Sequence, residues 1–382
     1  MSDPGAKDVI IIGGGLMGCG IALRLCQAGA RVTVLERSIP GAEASSAAAG
    51  ILAPQMEAER PGPFLELCLR SRGLYPAFAA ELLELTGVNI AYLPSGVLQV
   101  AYDEDRVHHL EATVAWQRAM GLRAELVSGD EARALEPALS PEVLAAAHFP
   151  DDHQVDNRLL VRALTMAAAR AGAQFRSGYV RGVLEERGRV VGVDVDGEAL
   201  RADAVVVAAG SWSGLVQGVP LDPRVVRPLR GQMLQLQTRL PLMRHILVSP
   251  EGYLVPRADG RVIAGSTMEF AGFDKQVTAE GLARILALAL RLCPALGSAA
   301  VDSSWAGFRP YTEDHLPLMG PGPLPGLFLA TGHFRNGILL TPITARLVAQ
   351  CVLGEKPSVD LTPFRYDRPS VRPAPRPEPG AR

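Results

Sequence analysis

Hydrophobic positions cluster most tightly near the start of the chain, where DVIII (8–12) places four apolar residues between an aspartate and a glycine turn. A run of that length suits a buried strand. GGGLMG then forms a tight turn, LMGCGIALRLCQAGA has the spacing of a helix closing at Gly29, and RVTVLE predicts a second strand. Residues 8–36 therefore read as a strand–helix–strand unit. Helical periodicity recurs over 63–86, 103–119 and 157–172, with strand-like GVLQVAY (96–102) between the first two. From 174 to 207 the pattern turns to short β segments, YVRGVLEE, RVVGVDVD and ADAVVVAAG, punctuated at Gly188 and Gly197.

Residues 226–268 hold further strands, including the alternating QMLQLQ and the hairpin LVPRADGRVIAG, whose Asp259-Gly260 predicts a two-residue type I′ turn. With that turn, paired residue numbers sum to 519. Tyr253 then faces Ser266 and lies diagonal to Met268, so one sheet face would present all three together. A helix at 277–293, a strand near 327–331 and an apolar helix at 337–353 follow. The tail RPSVRPAPRPEPGAR (368–382) has nothing to bury and predicts disorder. Strand–helix units and strand-rich stretches interleave over 382 residues, which predicts two domains, each assembled from discontinuous segments.

The chemistry begins at the first turn. Gly13-Gly14-Gly15-Leu16-Met17-Gly18 satisfies G-x-G-x-x-G after a strand and at the start of a helix. Gly13 permits the tight turn, Gly15 lets backbone approach a pyrophosphate, Gly18 allows close helix–strand packing, and the helix N-terminus favours phosphate charge. Glu36 ends the second strand, where it can accept hydrogen bonds from ribose hydroxyls, and an acid there disfavours a 2′-phosphate. ASSAAAGILAPQ (44–55) supplies small residues where a cofactor longer than a nicotinamide dinucleotide could be threaded. VVVAAGSWS (205–213) is a buried strand running into a turn that lets backbone approach something flat, with Gly210 and Trp212 as candidate contacts.

Composition adds mainly exclusions. A formal charge of −2 gives no electrostatic footprint for nucleic acid or an anionic membrane. Five scattered cysteines without a C-x-x-C pair argue against a disulfide framework and a zinc site. No stretch reaches the roughly 18 apolar residues of a membrane span, and the apolar N-terminal run, with Arg24 inside it and Lys7 offset by Asp3 and Asp8, is expected to be a strand and helix instead of a signal peptide. A cytoplasmic protein is expected.

VIIIGGGLMG, SSAAAGILAPQ, AAGSWS, GFRPYTEDHLPLMG and GHFRNGILLTPITA occur in the order found in flavin-dependent amine and amino-acid oxidases. Over roughly residues 7–367 the chain resembles the D-amino-acid oxidase superfamily, and within it the glycine oxidases of thiamine biosynthesis. The resemblance implies an α/β (α+β) chain. A doubly wound FAD-binding domain of Rossmann type (7–87, 147–219 and 307–367) would join a substrate domain (88–146 and 220–306) built on a large antiparallel sheet with flanking helices. It implies FAD contacts at Gly13, Gly14, Gly15, Leu16 and Met17 for pyrophosphate, and at Glu36 and Arg37 for ribose. Ser45, Ser46, Ala49, Gly50 and Ile51 would lie beside the flavin, Val180 against adenine, and His333, Phe334, Arg335, Asn336, Gly337, Ile338 and Leu339 along the isoalloxazine. The residues support the last group independently, because the helix beginning at Gly337 would aim its positive end at the HFRN turn.

For substrate the resemblance matches Tyr253, Arg309 and Arg335. A carboxylate asks for the bidentate fork that arginine supplies, so Arg309 is the expected clamp, with Tyr253 donating a second hydrogen bond. Sarcosine oxidases resemble the 309 segment but carry a flavin-linking cysteine in C-x-Y-T, where this chain has R-P-Y-T. Dissociable, non-covalent FAD is expected. The implied reaction takes glycine, with sarcosine and small D-amino acids as further candidates, and oxygen to glyoxylate, ammonia and hydrogen peroxide through an imine, in a homo-oligomer that is tetrameric by resemblance. A D-amino-acid or D-hydroxyproline dehydrogenase using another acceptor, or a flavoprotein subunit of a multi-subunit dehydrogenase, would share these residues. The remaining polar clusters read as structural: Asp156-Asn157 as a helix cap, and Glu313-Asp314-His315 as a turn.

Overall fold

Strand Asp8–Ile12 lies inside a six-stranded sheet because both of its faces are covered, as an uninterrupted apolar run requires. In this computed structural model, which describes residues 6–371, the sheet runs in the order Leu318–Pro321, Leu327–Thr331, Ala204–Val207, Asp8–Ile12, Arg31–Glu36, Gln174–Ser177. Every pairing is parallel except the first. Val9 and Ile11 face helices Leu16–Gln27, Pro63–Thr86, Asn157–Arg170 and Gly337–Leu353. Ile10 and Ile12 face a small three-stranded sheet, Val180–Glu186, Arg189–Val195 and Glu198–Arg201. The first βαβ unit, the helices and the strand at 327–331 stand where the periodicity predicts them, and Asp156 caps its helix by accepting from Arg158 N (3.0 Å) and Leu159 N (3.1 Å).

The second large sheet has eight strands, in the order Ala300–Tyr311, Arg227–Gln237, Arg261–Gly265, Gly252–Pro256, Ile246–Ser249, Val97–Ala101, Ala145–Phe149, Glu125–Ser128. It is antiparallel apart from one pairing, Ile246–Ser249 with Val97–Ala101. Helix Ala279–Leu292 covers one face. The opposite face carries Met233, Tyr253 and Trp305 and packs against Ala49, Ala53 and Met56.

The 253–265 hairpin departs from the expected register. Tyr253 pairs with Gly265 and Pro256 with Val262, and Arg257 N bonds to Arg261 O at 2.8 Å. The loop is thus residues 258–260, closed by Gly260 N to Arg257 O at 3.1 Å with Gly260 at φ +85°. This is the longer turn-plus-left-handed-residue solution, favoured because Asp259 accepts from Arg261 N and Nε instead of entering a type I′ turn. The shift puts a glycine, not Ser266, opposite Tyr253. Met268, expected beside Tyr253, lies past the strand end and is 59% exposed.

Glu313-Asp314-His315 is a turn, with His315 N on Thr312 O at 3.0 Å. Asp314 also holds Arg368 through Nε (2.7 Å) and Nη2 (2.8 Å), and Arg368 is 6% exposed. The chain expected to be disordered from 368 is therefore docked through 371, while 372–382 lie outside the described residues. Arg368→Ala would strip Asp314 of its cation and leave it only Leu316 N and Ser370 Oγ as donors, and is expected to lower unfolding free energy by about 1.5–3 kcal/mol. Denaturant titration checks this, and an unchanged midpoint would refute it. No helix among the described residues is long and apolar enough to cross a membrane, and no group of three His, Cys, Asp or Glu there could hold a metal.

Candidate active site

The glycine turn is held by contacts that leave no room for side chains. A Cβ on Gly13, at φ +106°, would stand 2.6 Å from Ala208 O, and one on Gly18 would stand 1.9 Å from Gly13 O. Gly14 faces away from the cavity described next. Its amide instead donates to Glu36 Oε2 at 2.9 Å, while Ser38 N donates to Oε1 at 3.0 Å. Leu16 N, in the first turn of the helix, donates to Ser45 Oγ at 3.1 Å. The guanidinium carbon of Arg37 stands over Trp212, 3.9 Å from the ring centroid, and Arg37 pairs with Glu43 at 3.0 Å.

One cavity is lined by this turn and by residues of both large sheets. Of the sequence candidates, Gly13, Gly15, Leu16, Met17, Glu36, Arg37, Ser45, Ala49, Gly50, Ile51, Val180, Gly210 and Trp212 line it, as do Tyr253, Arg309 and His333 through Ile338. Gly14, Gly18, Ser46, Met268 and Leu339 do not. Ser46 turns its hydroxyl to Gly41 O (2.6 Å), and Leu339 is buried in the helical core.

Two backbone segments flank the middle of the cavity. Gly50, at φ +78°, lies so close to Val155 O that a Cβ would meet it at 2.0 Å, and buried Arg257 donates to Ala49 O at 2.7 Å from behind. The segment from His333 leads into helix Gly337–Leu353. Burial pushes the His333 imidazole down to about 3, so it stays neutral, with Nε2 3.1 Å from Thr344 Oγ1. Pro342 inside this helix cannot donate to Ile338 O. Tyr75 from the helix Pro63–Thr86 supplies that bond, and Ser71 donates to Leu339 O at 2.6 Å.

Register explains the substrate end. Tyr253, Gly265, Met233 and Trp305 form one row across four strands. Tyr253 Oη reaches over Gly265 to Met233 Sδ at 3.6 Å, and a Cβ on Gly265 would come within 2.6 Å of that sulfur. In the next row Gly231 pairs with Gly307, followed by Leu229 with Arg309. The guanidinium of Arg309 folds over Gly231, where a Cβ would stand 2.2 Å from Nη1. It donates to Thr267 O at 3.2 Å and to Ser266 Oγ. Burial pulls the Arg309 pKa below the ordinary guanidinium value, with neighbouring Arg335 acting in the same direction. Arg335 is paired to Glu57 at 2.7 Å, and that carboxylate raises the Arg335 pKa.

The cradle therefore offers a glycine turn at a helix N-terminus, an acid at the end of the second strand, and a flat slot leading to an arginine. The sequence pattern of a family described as FAD dependent oxidoreductase matches residues 8–351. The chain belongs to that family. FAD-dependent oxidoreductases with high similarity include the glycine oxidase of Geobacillus kaustophilus, 38% identical over 94% of this chain and 97% of that protein. The crystal structure of glycine oxidase from that organism superposes with a TM-score of 0.91 at 36% identity, covering 95% and 99% of the two chains. The bifunctional protein ThiO/ThiG of Synechocystis sp. is 41% identical over 95% of this chain. The chain spans about half (54%) of that relative's length.

The residues fit FAD on structural grounds, because Gly13 and Gly50, glycines at positive φ, line the cavity with bare backbone packed against Ala208 O and Val155 O, where a Cβ would force the cradle apart. The sequence did not single out Glu57, Met233 or the glycine floor at 231, 265 and 307. QMEAERPG gives Glu57 no motif, and the floor becomes visible only once strand register is known.

Proposed function

We propose that this chain oxidatively deaminates glycine with dissociable FAD, in the service of thiamine biosynthesis. Glycine, oxygen and water give glyoxylate, ammonia and hydrogen peroxide: the α-C–H bond is oxidised to the imine, water cleaves the C=N bond, and oxygen takes the two electrons. When bound, FAD supplies the two-electron acceptor. The observation that carries the reading is Arg309, the one guanidinium lining the cavity without a carboxylate partner among the described residues. It stands beside Tyr253 above a floor of glycines.

Arg309 would bind the substrate carboxylate as a fork and Tyr253 would donate a further hydrogen bond, so the chain's main contribution is orientation. Among the described residues no free base stands at that end: Glu57 is held by Arg335, and His333 is buried, neutral and bonded to Thr344. The amine must therefore arrive neutral. Dissociable cofactor is supported by arginine at 309 and by the absence of cysteine among the cavity-lining residues. The reading keeps an FAD-binding domain (7–87, 147–219 and 307–367) and a substrate domain (88–146 and 220–306); the strands of the six-stranded sheet all fall in the former segments, while Ala145–Phe149 and Ala300–Tyr311 of the eight-stranded sheet cross the proposed boundaries. The same reading carries a cytoplasmic homo-oligomer, tetrameric by family resemblance. A peroxide assay of the purified yellow protein with glycine, sarcosine, D-alanine and D-proline tests it. Peroxide with glycine is expected. No turnover of glycine would sink the reading, and reduction of an artificial acceptor without peroxide would point to a dehydrogenase.

A further inference from the structure

Three guanidinium groups line the cavity: Arg37, Arg309 and Arg335. Arg37 is paired with Glu43 beside Trp212, next to the nucleotide-binding turn. The other two share the substrate end. Only one of them is neutralised, because Glu57 lies 2.7 Å from Arg335 Nη2 while Arg309 bonds to a hydroxyl and a carbonyl.

Glu57 is not a mobile surface acid that happens to reach in. It ends the short helix Pro54–Glu57, and the three residues before it are buried. Buried Asp152 accepts from Gln55 N (3.3 Å) and Met56 N (2.9 Å). Arg72 ties Asp152 (3.0 Å) to Gln55 Oε1 (2.8 Å), and Gln55 Nε2 donates onward to Gln117 Oε1 (3.0 Å) and Arg123 O (2.9 Å). A polar network of this depth fixes the carboxylate against Arg335. The substrate end thus holds a cation, Arg335, that could receive a second anion, and an acid, Glu57, that occupies it.

We infer that Glu57 is a specificity-determining residue that confines the site to substrates with one carboxylate, by occupying Arg335 and repelling a second anionic group. The inference rests on the amino-acid oxidase reading above. Its physical content is negative selection: a monocarboxylate needs only Arg309, whereas a glycine derivative with a second carboxylate must displace Glu57 or face it. With Glu57 made neutral, Arg335 becomes an open cation. Iminodiacetate would then be accepted and, with oxygen and water, converted to glyoxylate, glycine and hydrogen peroxide by oxidation of one α-C–H bond and hydrolysis of the resulting C=N bond.

The test uses flavin-loaded wild type, Glu57→Gln and Glu57→Gln/Arg335→Gln. Acetate and malonate are titrated by the shift of flavin absorption, and glycine and iminodiacetate by peroxide. In Glu57→Gln the malonate Kd should fall at least about tenfold relative to that of acetate, and the iminodiacetate to glycine ratio of kcat/KM should rise by a similar factor. The double variant should abolish both gains. Parallel weakening of both ligands would show that Glu57 only supports the fold of the loop, and an unchanged ratio would equally overturn the inference. Should Glu57→Gln not fold, Glu57→Ala gives the same comparison. The binding arm needs no turnover, so a protein inactive on glycine would remove the functional reading while leaving this inference to be decided by malonate.

Discussion

Arg309→Lys should keep its flavin and lose about 100- to 1,000-fold in kcat/KM for glycine, equivalent to roughly 3–4 kcal/mol of transition-state stabilisation. Lysine preserves the charge but replaces a planar fork by a point charge, so the loss isolates geometry from electrostatics. The side chain lies over Gly231 with no space beneath it, and its bonds to Ser266 and Thr267 fix the plane of the fork before substrate arrives. An ammonium cannot satisfy both and still present two donors to a carboxylate. Steady-state peroxide kinetics combined with the flavin spectrum decide the point. Wild-type turnover by the lysine variant would place the carboxylate site elsewhere, and loss of flavin would show that the residue supports the cofactor instead.

Gly18→Ala should yield colourless protein with a lowered melting temperature. A Cβ there would meet a backbone oxygen, Gly13 O, at 1.9 Å, so the turn itself has to move. Overpacking typically costs about 1–3 kcal/mol, and here the displaced atoms form the cofactor cradle. Gly73→Ala, in the helix Pro63–Thr86, is the internal control, since its Cβ would meet nothing within 4 Å and the residue lies outside the cavity lining. It should retain more flavin than Gly18→Ala. Flavin absorbance per protein and a thermal melt measure both variants, and equal flavin content in the two would contradict the steric account.

The contrast between the two sites shows which information the sequence carries. The glycine turn, its strand and Glu36 are contiguous, and each glycine answers to a contact made within the unit or with the strand beside it, so residue type and spacing suffice. The same holds for the Asp156 cap and for the turn at 313–315. The substrate wall is different, because it depends on which residues of four strands stand abreast. One additional residue in the 258–260 loop moves the partner of Tyr253 from Ser266 to Gly265, and Met268 leaves the sheet face expected beside Tyr253 for solvent. Glu57 was illegible for a related reason: its place is set by Asp152, Arg72 and Gln117, which are far from it in the chain.

The strand Ala300–Tyr311 ends within a few residues of Arg309, and Phe334 N bonds to Pro310 O at 3.0 Å. Clamp and slot wall are therefore pinned to each other across a single peptide bond's width. Any rigid rotation of one sheet relative to the other must carry this hinge point along or break it, so the distance between the bound carboxylate and the face of the slot is nearly invariant to such motions. The molecule is a vice of fixed gauge, in which an amine is accepted or rejected by its fit between clamp and slot, since the Glu57 side is held just as firmly through Asp152 and Arg72.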